Sequence, residues 1–285
     1  MAERLLLEGI PFRAACRNVA KADWLSERGI KVVKIDVTSG VGLAEAVAGS
    51  DQVVSCIHGL LGKSRNSIEQ IDVRGHAALF DACVEAKISR FVYVSALGAS
   101  LTHPSEFWRA KARTEQHLKA SGIQHVIIRP GAFMDLYAHD MIGSAVLSGK
   151  TVFLLGSGTT PRNLIAVADV ADAVIKALSW GHLAGHTLEI GGQENLTEQE
   201  IVQIYAALSG KTPKVRRIPF WAIKILATAI APFHAGIGRL LRLPTQLAGR
   251  DDLRLESAYG TVQLGINPEP LSAFVSNKIC AVKAI

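Results

Sequence analysis

"RFVYVSALGASLTHPSEFWRAKARTEQHLKASGIQHVIIRP", residues 90–130, is the stretch whose reading decides the fold. Its opening, RFVYVSA at 90–96, is apolar on both alternating faces, as a strand covered on two sides must be. Residues 105–121 have helical spacing and stop at Ser121-Gly122, and HVIIRP at 125–130 is a second short apolar run. Strand, helix and strand at this spacing form a right-handed crossover, which lays the two strands parallel in one sheet.

The same alternation extends towards the N-terminus. Residues 10–16, KVVKIDV at 31–37 and DQVVSCI at 51–57 read as strands, while 20–28, 42–50 and 67–87 read as helices. The first nine residues, MAERLLLEG, read as an amphipathic helix with a glycine stop. The expected class is α/β, a Rossmann-like doubly wound parallel sheet. Beyond Pro130 the pattern loosens. A helix at 135–148 is followed by KTVFLLGSG, RNLIAVADVADAVIKALS and HTLEIGG, and then by a helix at 197–209 that opens with the capping box Thr197…Glu200.

Composition narrows the function. With 49% apolar and 20% charged residues, the 285-residue chain can bury a large core. Its net charge of +6 is not gathered into a basic run interleaved with aromatics, so nucleic acid is excluded as the expected partner. Cys16, Cys56, Cys83 and Cys280 form no C-x-x-C pair, and all four are expected as buried thiols in a reducing, cytoplasmic compartment. His182 and His186 lie in the glycine-containing stretch GHLAGH, and no metal site is expected. The longest apolar stretch, 220–233, is broken by Lys224 and Pro232 and falls short of the roughly 20 residues a membrane span needs.

Several residues stand where chemistry is done. HGLLGKS at 58–64 imitates a phosphate loop, but Ile57 occupies the position of the first glycine, so a flexible loop is the better reading. Arg17 closes the strand 10–16, where a doubly wound sheet meets the adenosine ribose; an arginine there suits a 2′-phosphate, an acid the ribose hydroxyls. Asp36, at the end of the next strand, is placed to receive an adenine amino group. Ser95 ends a buried strand, and Lys111 lies on the following helix. Such a lysine holds a nicotinamide ribose, or relays protons once burial lowers its pKa. His58 is a further residue at a strand end.

Taken together, CRN, KIDVT, VVSCI, RFVYVSALGA, FWRAKARTEQHL, SGIQHVIIRPGAFMD, VADVADAV and HTLEIGG resemble the atypical short-chain dehydrogenase/reductase superfamily, in its NmrA-like, NAD(P)H-binding branch, over roughly residues 1–220. The resemblance implies an NAD(P)-binding domain over 1–195 and a smaller substrate or interaction lobe over 196–285, interleaved with the first from about residue 131. It implies NADP as cofactor, with NADPH preferred to NADH, held by Arg17, Asp36, Cys56, Ile57, Ser95, Lys111, Pro130, Gly131 and Phe133, and with Lys111 and Ser95 as the catalytic pair. Two departures qualify it. The family's first strand and glycine-rich turn have no counterpart before the helix at 1–9, which suggests a start placed too late; the other candidate for that strand is KICAVKAI at 278–285. The active-site Y-x-x-x-K reads Phe107…Lys111, and phenylalanine has no proton to donate, although relatives resembling isoflavone reductase work from the lysine alone.

Two functions follow from the resemblance: NADP(H)-dependent reduction of a small molecule, or a non-catalytic regulator or assembly factor that binds a protein partner. A third reading concerns 214–242, where Phe220, Trp221, Ile223, Ile225, Leu226 and Ile230 lie among Arg216, Arg217, Lys224, Arg239 and Arg242. A helix packing the C-terminal lobe or a dimer contact is the favoured account of it, and a peripheral membrane contact is the other.

Overall fold

The computed structural model describes residues 1–256 and 259–283. The chain forms two compact units, Met1–Ser95 with Ala99–Ile128 and Ala171–Leu188, and Ala96–Gly98 with Arg129–Val170 and Glu189–Ile285. The two units are interleaved, the chain passing into the second at Ala96, Arg129 and Glu189, and residue 195 lies inside the second unit.

The first unit is α/β. A short helix, Ala2–Leu7, precedes β1 (Ala14–Cys16), β2 (Val32–Lys34), β3 (Gln52–Ser55), β4 (Arg90–Val94) and β5 (His125–Pro130). β1 pairs with β2, β3 with β4 and β4 with β5, each in parallel. Ala15 lies opposite Val33, Val54 opposite Val92, and Tyr93 opposite Ile127. The strand Thr187–Ile190 is the neighbour of β5 on its other side. The helix Glu106–Ala120 makes the crossover from β4 to β5 expected from residues 90–130.

The sheet comes in two pieces, however. Among the described residues, β1 pairs only with β2, and β3 has only β4 as its neighbour. Between β1 and β3 lies a cavity of about 1010 Å³, lined by Leu5, Ala14, Ala15, Val53, Val54 and Ile57 among others. Of the strand expected over 10–16, only Ala14–Cys16 is in a ladder.

Buried Val33, Leu43, Phe80, Phe91, Leu118 and Ile127 form the core of this unit. Phe80 and Phe91 meet edge to face with centroids 5.1 Å apart. Arg90 Nη1 donates to the carbonyls of Ala177 and Leu178, the last turn of the helix Val167–Ser179, where free carbonyls need donors.

The second unit has its own core, including Ile142, Val152, Leu164, Tyr205 and Phe274. The helix Glu198–Ser209 opens with the expected capping box: Glu200 N donates to Thr197 Oγ1 at 3.2 Å, and Thr197 N donates to Glu200 Oε2 at 2.8 Å. The strand Val215–Ile218 pairs in parallel with Val152–Leu155. Residues 278–283, a candidate for the first-strand position, instead end the helix Leu271–Lys283; residues 284 and 285 lie outside the described residues. Leu271, Phe274 and Val275 are buried, and their i, i+3, i+4 spacing suits a helix face and not a strand. The cysteine expectation also needs correction. Cys83 is buried, Cys16 is half-buried, and Cys56 and Cys280 are exposed.

Candidate functional site

In a parallel sheet all the C-terminal strand ends lie along one edge, and ligands of open α/β sheets bind there. Arg17 follows β1 directly, and its exposed guanidinium donates to Asn66 Oδ1 at 2.6 Å. Asn66 ends the 3-10 turn Ser64–Asn66, just past the stretch 58–64 that imitates a phosphate loop, so this turn orients the arginine. Asp36 lies just beyond β2. Its Oδ1 accepts from Thr38 N at 2.9 Å and from Thr38 Oγ1 at 2.7 Å, a local turn that fixes the carboxylate. Cys56 and Ile57 follow β3 and line the cavity between β1 and β3. Ser95 follows β4 and is buried, and its hydroxyl donates to Glu115 Oε1 at 2.5 Å.

Lys111 is 3% exposed. Its Nζ donates to the Val94 carbonyl at 3.2 Å and lies 3.6 Å from Asp72 Oδ1. It also lies 4.8 Å from the centroid of Tyr93 and 5.6 Å from that of Phe107. Burial alone would lower its pKa, but Tyr93 and Asp72 outweigh burial and hold the ammonium above its ordinary value, the reverse of the expected lowering. Burial pushes the Asp72 carboxyl up, while Lys111 and the Gly59 N–H, which donates to Oδ2 at 2.7 Å, pull it back. Lys111 is thus anchored within the domain, bracing the end of β4 against the helical segment that carries Asp72.

Next to this cluster, Ser55 Oγ lies 2.9 Å from His76 Nε2, and His76 Nδ1 lies 3.1 Å from the Ile71 carbonyl. A carbonyl only accepts, so Nδ1 carries the proton and Nε2 accepts from Ser55. Burial takes the His76 pKa down to about 3. His58 is exposed and meets Phe107 edge to face at 6.2 Å.

Pro130, Gly131 and Phe133 belong to the second unit. Gly131 N donates to the Ile190 carbonyl at 3.0 Å, and a Cβ at Gly131 would stand 2.7 Å from the Asn163 carbonyl oxygen, so only glycine fits.

Sequence reading passed over Asp72, Glu115 and Asn66. Two of them carry a signal. Asp72 lies on the same apolar stripe as buried Ile68 and Ile71, and Glu115 lies four residues after Lys111 on a buried helix face. A charge on an apolar stripe needs a partner. Asn66 carries none, since only the tertiary structure brings its loop to β1.

These residues fit one end of a phosphorylated dinucleotide. The exposed Arg17, held by Asn66, suits the 2′-phosphate at the adenosine end. At the nicotinamide end the Lys111 ammonium is already engaged, so the fit there does not rest on a free lysine. Among the described residues no group of three or more His, Cys, Asp or Glu is placed to hold a metal ion.

A family model described as NAD(P)H-binding matches residues 1–180. The chain is 25% identical over 278 residues to the photosystem II assembly factor Ycf39 of Guillardia theta, covering 96% of this chain and 87% of that protein. It is 26% identical over 209 residues to the NAD(P)H azoreductase of Xenophilus azovorans, covering 73% of this chain and 69% of that one. Among solved structures, the NADPH-dependent quinone oxidoreductase QOR2 of Escherichia coli, complexed with NADPH, superimposes with a TM-score of 0.77 at 22% identity, covering 97% of this chain and 94% of that one. At that identity the likeness is one of fold.

Proposed function

From its membership of the NAD(P)H-binding family, we propose that this chain binds NADP(H) in preference to NAD(H) and uses it to reduce a small organic molecule. The observation that carries the reading is Arg17, an exposed guanidinium directly after β1 and oriented by Asn66. A planar fork of donors pairs with a phosphate through two parallel bonds, and an acid at this position would instead favour the plain ribose of NAD. Asp36, whose carboxylate is fixed by its own turn just beyond β2, is placed at the strand edge to receive the adenine amino group. When bound, the cofactor supplies a hydride. Ser95 orients the substrate oxygen by turning its hydroxyl away from Glu115, and Lys111 keeps the end of β4 in place. Phe107 offers no proton, so the reduced substrate takes its proton from solvent. That favours acceptors whose reduced anion is stabilised by conjugation, such as quinones and azo dyes. The four free thiols accord with a reducing, cytoplasmic setting.

A second reading, a nucleotide-binding assembly factor without turnover, is favoured by Phe107 and by the engagement of Lys111, and by likeness to an assembly factor over nearly the whole chain. Titration with NADPH and NADH, together with turnover assays on quinone and azo acceptors, separates the two. The reductase reading expects NADPH to bind at least about tenfold more tightly, which is about 1.4 kcal/mol, and Arg17→Asp to erase the difference. Equal affinity of the unmutated protein for both cofactors overturns the Arg17 assignment. Binding without turnover leaves the assembly-factor reading.

A further inference from the structure

We infer that the helical hairpin formed by Phe220–Ile230 and Ala235–Leu247 is a docking surface for a bilayer rich in anionic lipid. The two helices pack together through small residues. A Cβ added at Gly238 would stand 2.8 Å from Ala231 Cβ and 3.2 Å from the Ala227 carbonyl oxygen, so the backbones meet closely. Ile223 and Ala227 are buried, while the other side of the first helix is bare.

Trp221 and Ile225 stand one turn apart, 67% and 63% exposed, with Leu226 beside them at 50%. Phe233, in the turn between the helices, is 84% exposed, and Ile237 and Leu240 follow on the second helix at 40% each. Single exposed apolar residues are ordinary, but six on one hairpin are not, and a soluble monomer seldom leaves such a face uncovered.

Charge selects the occupant. Between residues 214 and 242 there are six Lys or Arg and no Asp or Glu. The whole chain carries 31 basic and 25 acidic residues, so the rest of it holds 25 of each sign and the entire net charge of +6 lies in these 29 residues. An apolar face flanked by basic residues, with tryptophan and phenylalanine among its apolar groups, lies in the plane of a membrane interface, its aromatics among the acyl chains and its lysines and arginines at the headgroups. No described helix is long and apolar enough to cross a membrane, which leaves contact from one side.

Flotation of the full chain with vesicles of phosphatidylcholine alone, or with 30% phosphatidylglycerol, tests this surface. Binding is expected on the anionic vesicles only, with a blue shift of tryptophan fluorescence that Trp221→Phe diminishes. Each basic residue near the surface contributes about fivefold to partitioning. Lys224→Glu with Arg242→Glu is therefore expected to weaken it at least about twentyfold, and salt at 0.5 M to release the protein. Phe233→Asp removes the tip anchor and is expected to cost about tenfold or more. All these residues are exposed and lie outside the cofactor machinery, so thermal unfolding and far-ultraviolet circular dichroism of each variant report whether the fold is kept. Absence of binding to anionic vesicles at low salt overturns the proposal, as does binding that the charge and tip variants leave unchanged. A dimer in solution that Phe233→Asp dissociates, without vesicle binding, assigns the face to a second copy and overturns it too.

Discussion

Lys111 takes a charge to a place where only 3% of its side chain reaches solvent, and Asp72 meets it there with none of its own exposed. Neither is comfortable alone. Removing water from one ion costs several kcal/mol, which the pair recovers only through mutual attraction and hydrogen bonds from the backbone. Lys111→Met should therefore leave Asp72 as an uncompensated buried acid and destabilise the first unit by about 3–5 kcal/mol. Lys111→Met combined with Asp72→Asn should recover a large part of that loss, because no lone charge remains. Urea denaturation of the two single variants and the double variant measures the coupling directly. Additive losses would show that the two groups do not support each other.

At the scale of the elements, the slot between β1 and β3 stands out. Parallel strands usually have neighbours on both sides in a doubly wound sheet, and here two strand edges line a cavity of about 1010 Å³. An edge of unpaired N–H and C=O groups invites another strand. Placing a short apolar strand and a glycine-rich turn ahead of Met1 should fill the slot and supply backbone donors to a pyrophosphate. Several charge-assisted hydrogen bonds of about 1.5–3 kcal/mol each correspond to a gain in NADPH affinity of at least about a hundredfold. Calorimetric titration of the extended and unextended chains is the check. Micromolar NADPH binding by the unextended chain would place the phosphate site in another segment.

The stability of the whole molecule against acid is set in part by one histidine. His76 has a folded pKa of about 3 against an ordinary 6.5. Above 6.5 both folded and unfolded states leave it neutral, and it adds no pH dependence. As pH falls below 6.5 the unfolded chain takes up a proton that the folded chain refuses until about 3, so stability is lost over that window at up to about 1.4 kcal/mol per pH unit. His76→Gln keeps an acceptor for Ser55 and removes the proton. Its unfolding free energy should fall less steeply than that of the unmutated protein between pH 6 and pH 4, and parallel curves would show that His76 does not set the slope.

Sequence alone determined the α/β class, because strand and helix periods are local and the run from residue 90 to residue 130 holds a complete crossover. It determined the capping box at Thr197 for the same reason, since both partners lie within one turn of helix. It also placed Arg17, Asp36, Cys56, Ile57 and Ser95 just past β1, β2, β3 and β4, because a chain that alternates strand and helix brings successive strand ends to one edge. Only the tertiary structure decided the rest. Asn66 meets Arg17 across 49 residues and Asp72 meets Lys111 across 39, and no local spacing encodes a contact of that range. The division of the sheet, the helical course of residues 278–283 and the bare face of the hairpin depend on which surfaces find a neighbour. Periodicity shows that a surface is apolar, and packing alone determines whether anything covers it.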